Sequence, residues 1–110
     1  MNIREKAIFK KSIEVYGKEA QCRQAMEECA ELIQAINKCL RYPDRKTSKP
    51  NLIEEIADVE IMIFQLKEMF NIDDDIVEDY KFLKANREKT RLAGGEEYGV
   101  RKSIGARGLL

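Results

Sequence analysis

The stretch Asn51–Phe70, NLIEEIADVEIMIFQLKEMF, decides how this chain is read. At about 100° per residue, Leu52, Ile56, Val59, Ile63, Leu66 and Phe70 fall along one narrow face, the periodicity of a buried amphipathic helix. Glu55 and Asp58 flank that stripe one turn apart, on the same side, close enough to share one cation.

The same pattern occurs once upstream. Aligning AMEECAELIQAI, from Ala25, with LIEEIADVEIMI, from Leu52, places Glu28 on Glu55, Glu31 on Asp58 and Ile36 on Ile63. Glu28 and Glu31 thus flank a stripe of Ala25, Cys29, Leu32 and Ile36. Two helices packed through these stripes bring four carboxylates together.

Exposed helices usually relieve an acid with Lys or Arg three or four residues away. None of Glu28, Glu31, Glu55 and Asp58 has one, although the chain holds 20 basic residues against 20 acidic. Like charges at this spacing cost about 0.2–0.5 kcal/mol per pair on an exposed helix, and more when partly buried. Compensating charge must come from elsewhere. Basic residues of another helix are one source. An oxygen-only cluster without histidine or cysteine is also what a hard cation such as Mg²⁺ or Mn²⁺ selects.

Composition sets the frame. A chain of 110 residues, 44% hydrophobic and 36% charged, with only two prolines, reads as a single helical domain of modest size that oligomerisation would help. Zero net charge argues against a nucleic-acid polymer or a membrane surface as partner. Cys22, Cys29 and Cys39 form no CxxC pair and the chain has no histidine, so zinc and a disulfide framework are poor readings. Reduced core thiols in a cytoplasmic protein are the expectation. MNIREKAIFKK lacks an apolar signal region, and the longest apolar run, Ile61 to Phe64, is too short to span a membrane.

In chain order, a first helix is expected from about Asn2 to Tyr16, ended by Gly17, with Ile8, Val15 and Tyr16 inward. The second runs from about Lys18 to Arg41. A short basic loop, Tyr42 to Pro50, has prolines at both ends to stop helix propagation. Asn51 then reads as an N-cap with Glu54 completing a capping box. The third helix adds Ile61, Met62 and Phe64 to its stripe, more apolar surface than one neighbour covers. After an acidic turn at Asn71–Asp75, too incomplete for a calcium loop, a fourth helix extends from about Asp73 to Ala93. Its face of Ile76, Tyr80, Lys84, Arg87 and Arg91 begins apolar and ends basic, either a solvated cationic end or an anion contact. Residues 1–93 form the helical domain and 94–110 a flexible or partner-contacting tail.

Glu28-x-x-Glu31 followed by Glu55-x-x-Asp58, within EECAELIQAINK and NLIEEIADVEIMI, resembles the paired motif of the MazG-like all-α nucleoside triphosphate pyrophosphohydrolases. The likeness covers roughly Lys18 to Arg91. It implies an all-α, four-helix bundle-type fold assembled as a homodimer or homotetramer. It also implies Mg²⁺, with Mn²⁺ as substitute, held by Glu28, Glu31, Glu55 and Asp58, and cleavage of a nucleoside triphosphate to monophosphate and pyrophosphate. Such a reaction requires a carboxylate to activate water, since no histidine is present. Lys84, Arg87 and Arg91, with Lys81 at the edge, are candidate contacts for the departing pyrophosphate. Gln24, one turn before Glu28, is a candidate base or ribose contact, or an ordinary boundary residue. A phosphoribosyl-ATP pyrophosphohydrolase and a non-catalytic helical oligomer are the alternatives.

Overall fold

The computed structural model describes residues 1–94. Asn2 starts the first helix with a capping box: its side-chain oxygen accepts from Glu5 N at 2.8 Å and Asn2 N donates to Glu5 Oε1 at 2.9 Å. Helix α1 spans Ile3–Tyr16 and α2 spans Lys18–Arg41. Gly17 alone makes the corner between them, with φ 91° and ψ 156°, a backbone region open essentially to glycine. Helix α3 covers Ser48–Met69 and α4 Asp74–Ala93, and the described residues contain no strand. The chain divides into two compact units, Met1–Ile72 and Asp73–Leu110. The expected tail, beyond Gly94, lies outside the described residues. No helix of the described residues is long and apolar enough to cross a membrane.

Helix α3 begins before the expected Asn51 cap. Thr47 takes the N-cap position, and Asn51 N donates to Thr47 O at 3.1 Å, so Asn51 already lies inside the helix. Pro50 does not delay the start, because the first N–H groups of a helix have no intrahelical acceptor and a proline there forfeits nothing. The capping box belongs to Asn2 and Glu5, not to Asn51 and Glu54. Buried Ser48 secures the loop instead: its Oγ donates to Tyr42 O at 3.1 Å, and its own carbonyl accepts from Cys39 Sγ at 3.4 Å. Ser48→Ala is expected to cost about 1 kcal/mol, read as a lower urea midpoint with an unchanged slope. At its other end α3 stops where Asn71 adopts φ 54°, letting Ile72 N reach back to Lys67 O at 2.9 Å.

The first unit is organised by the α2–α3 pair, but not through the expected stripes. From α2 the buried residues are Gln21, Ala25, Glu28 and Ala35; from α3 they are Ser48, Met62 and Gln65. Ile56, Ile63 and Phe70 remain 42%, 45% and 51% exposed, and Ile36 and Cys29 are exposed too. Cys29 is therefore not a core thiol, whereas Cys22 and Cys39 are half-buried; all three are free. By helical geometry the expected stripe of α3 is centred about 100° around the axis from the face that meets α2.

Gln65, at 1% exposure the most deeply buried large side chain among the described residues, lies on the face that meets α2. Its Oε1 accepts from Gln21 Nε2 at 2.9 Å and its Nε2 donates to Phe9 O at 2.9 Å. An amide so buried must keep its partners or lose its hydration uncompensated. The bond to Phe9 also turns α1: Phe9, Ser12 and Ile13 are half-buried, while Ile8, Val15 and Tyr16 are exposed. Lys10 on Glu68, at 3.6 Å, and Lys18 over the Phe70 ring, at 4.3 Å, add surface contacts at the same end.

Candidate metal centre

The turned α3 face brings acid into the seam. Gln21 meets Gln65, and about two turns further along α2 Glu28 meets Asp58, as antiparallel helices require. One turn beyond, Glu31 approaches Glu55. A carboxylate oxygen from each of Glu28, Glu31 and Glu55 lies within 4.8 Å of the others, and this is the one such acidic cluster among the described residues. Asp58 stands at its edge, close enough to act on both Glu28 and Glu55. The carboxylates thus line the helix contact instead of flanking it.

Burial within the cluster is uneven. Glu28 is 9% exposed, Glu55 and Asp58 are half-buried and Glu31 is exposed. Glu28 Oε1 accepts from Gln24 Nε2 at 2.9 Å. Its other oxygen, Oε2, and Glu55 Oε1 are buried without any hydrogen-bond partner. Among the described residues no Lys or Arg forms an ion pair with any of the four acids.

Crowding sets the protonation of the cluster. Desolvation raises Glu28 above its ordinary value, the Asp58 and Glu31 carboxylates raise it further, and the Gln24 hydrogen bond opposes them. Glu55 is pushed up from 4.5 to about 7, first by desolvation and then by Glu31, Asp58 and Glu28. Raised in this way, both groups favour the protonated form, against which a cation would compete.

The donor set fits a hard cation. Two orphaned buried oxygens point to a missing positive partner, and carboxylates alone supply the ligands. Glu28, Glu31 and Glu55 are placed to hold a metal ion, with Asp58 beside them.

The other sequence candidates fall elsewhere. Gln24 reaches Glu28 directly, so its observed partner is a carboxylate of the cluster. Gln24→Ala is expected to weaken Mn²⁺ binding about tenfold, the lower range for losing a group that orients a ligand; calorimetric titration measures it. Lys81, Lys84, Arg87 and Arg91 all belong to α4, in the second unit. There Lys81 Nζ pairs with Glu78 and Arg91 with Glu88, each at 3.4 Å, while Lys84 and Arg87 are exposed. The sequence reading missed the Gln21–Gln65 pair. Its only local signal is spacing, since each glutamine sits about two turns from an acid on the same helix.

No protein-family description, curated protein or solved structure matches the chain.

Proposed function

We propose that this chain is a Mg²⁺-dependent nucleoside triphosphate pyrophosphohydrolase of MazG-like kind, cleaving between the α and β phosphates to release a nucleoside monophosphate and pyrophosphate. The observation that carries the reading is the convergence of acids from two helices on one seam, with two buried oxygens unsatisfied and no basic partner among the described residues. Neutralising such a cluster with a hard divalent cation accounts for both features.

Glu28, Glu31, Glu55 and Asp58 would hold the cation. When bound, Mg²⁺ supplies charge neutralisation for the triphosphate and lowers the pKa of water. The chain's own part is to aim the carboxylates and to accept a proton. A carboxylate of the quartet left free of coordination takes the proton of the attacking water. Gln24 holds Glu28 Oε1 and leaves the buried Oε2 without a partner, free to take a cation. Lys81, Lys84, Arg87 and Arg91 remain candidate phosphate contacts on the sequence resemblance alone.

The test is pyrophosphate release from a panel of ribo- and deoxynucleoside triphosphates, with Mg²⁺ and with chelator. Mg²⁺-dependent release matched by equal monophosphate supports the assignment. Phosphoribosyl-ATP in the same panel separates the neighbouring activity. Silence throughout, with Mn²⁺ also tried, overturns the enzyme reading.

The exposed residues of the α3 stripe favour assembly of the chain into a homodimer or homotetramer. Ile56 and Ile63, both on that stripe, leave an apolar face that water solvates poorly. Ile63→Glu is expected to reduce the sedimenting mass of the full chain to that of a monomer. An unchanged mass would instead mean that this face is not the interface. A non-catalytic oligomer built on the same face is the second reading, and is favoured if Mg²⁺ leaves the melting temperature unmoved.

A further inference from the structure

Helix α3 carries two faces that compete for α2. One is the stripe of Ile56, Val59, Ile63 and Leu66, apolar throughout. The other presents Glu55, Asp58, Met62 and Gln65, half of it acidic; here Met62 and Gln65 are buried while Ile56 and Ile63 of the stripe stay exposed, with Glu55, Asp58, Val59 and Leu66 half-buried between them. Hydrophobic burial favours the first, since each aliphatic side chain taken out of water is stabilising. Repulsion among the carboxylates opposes the second. Some specific interaction must therefore hold α3 in its observed rotation.

The Gln21–Gln65–Phe9 chain of hydrogen bonds is placed to do so. It joins all three helices of the first unit at one point, with both amide-to-acceptor distances at 2.9 Å. Gln65 can make both bonds only while its side chain points into the seam. Rotating α3 by the roughly 100° that would centre its apolar stripe on α2 would carry Gln65 away from Gln21 and from Phe9 O together. Because Gln65 and Asp58 share one face about two turns apart, as do Gln21 and Glu28, fixing one layer fixes the other.

We propose that Gln21 and Gln65 are positioning residues, a buried amide clamp that sets the rotation of α3 against α2 and thereby turns Glu55 and Asp58 into the metal site. A buried polar pair at a helix contact can select one arrangement at the expense of stability. The inference rests on the metal-site reading above for its second readout, but not for its first.

The experiment is the paired replacement Gln21→Leu with Gln65→Met in the full chain, which removes both polar groups without emptying the seam. The first readout is the NOE pattern of the Ala25 methyl group, independent of any metal. Ala25 lies between Gln21 and Glu28 on α2 as Met62 lies between Gln65 and Asp58 on α3, so cross-peaks to Met62 are expected with the clamp intact and to Val59 or Ile63 without it. The second is Mn²⁺ affinity by calorimetry, expected to fall at least tenfold while helicity is kept and the melting temperature is held or raised. Unchanged NOEs overturn the proposal, even where affinity falls. If the wild-type chain binds no Mn²⁺, the metal reading fails and the NOEs alone decide the clamp. Should the paired variant not fold, Gln21→Met, which leaves Gln65 on Phe9 O, replaces it: shifted NOEs support the clamp and unchanged NOEs overturn it, as before.

Discussion

Glu55→Gln is expected to lower turnover of a nucleoside triphosphate by more than about a hundredfold, since losing an outer-shell partner alone costs about 10–100-fold and Glu55 is proposed as a direct ligand. The substitution keeps the size of the side chain and removes its charge. Glu55 is crowded by three other carboxylates and has a buried oxygen without a partner. The metal-free variant should therefore be folded and more resistant to heat than wild type at pH 8. Loss of activity together with gain of stability is the signature of a group retained for function. Circular dichroism melting and a pyrophosphate assay read the two sides. A variant that keeps full activity would remove Glu55 from the site.

The second large effect is a reversal of pH dependence by metal. Desolvation and the neighbouring carboxylates push Glu55 up to about 7 from 4.5 in the folded chain, and Glu28 moves the same way. A carboxyl with a raised folded pKa binds more protons folded than unfolded, so its contribution is fully present below 4.5 and is lost as pH rises through about 7. The metal-free protein should accordingly lose melting temperature between pH 5 and 8, taken as an approximate window around these values. Metal acts oppositely, because it needs the deprotonated carboxylates and binds more tightly as they ionise. Mg²⁺ at about a hundred times its dissociation constant adds about 2.7 kcal/mol, on the order of 10 °C for a domain this small. Most of that gain should appear above pH 7, and Glu55→Gln should flatten both curves. A melting temperature indifferent to Mg²⁺ at pH 8 would contradict the metal assignment.

The helices themselves were legible because their punctuation is local. Gly17, Tyr42 and Asp73 mark the ends of α1 and α2 and the start of α4 within one or two residues, and the all-helical composition leaves no competing element, but α3 starts at Ser48, three residues before the expected Asn51. Pro50 misled because it blocks a helix interior yet is harmless in a first turn. The acid quartet was legible through what its neighbours lack: no cation lies one turn away on either helix. Which face of α3 turns inward was not legible. Periodicity weighs apolar residues along one helix, whereas the buried Gln65 bonds to Gln21 and Phe9, far away in sequence. The same blindness placed Ile8, Val15 and Tyr16 inward on α1 and Cys29 in the core.

Gly17 has a consequence of another kind. One residue closes α1, with its N–H on Ile13 O at 2.8 Å, and opens α2 through its carbonyl, which accepts from Gln21 N at 3.1 Å. A methyl group added there would meet nothing within 4 Å, so the obstacle to any other residue is the backbone angle alone. The position looks vacant and is nonetheless reserved. A library sorted for folded chains should return glycine at 17 almost without exception, while the roomy surroundings would lead inspection of packing to expect free variation.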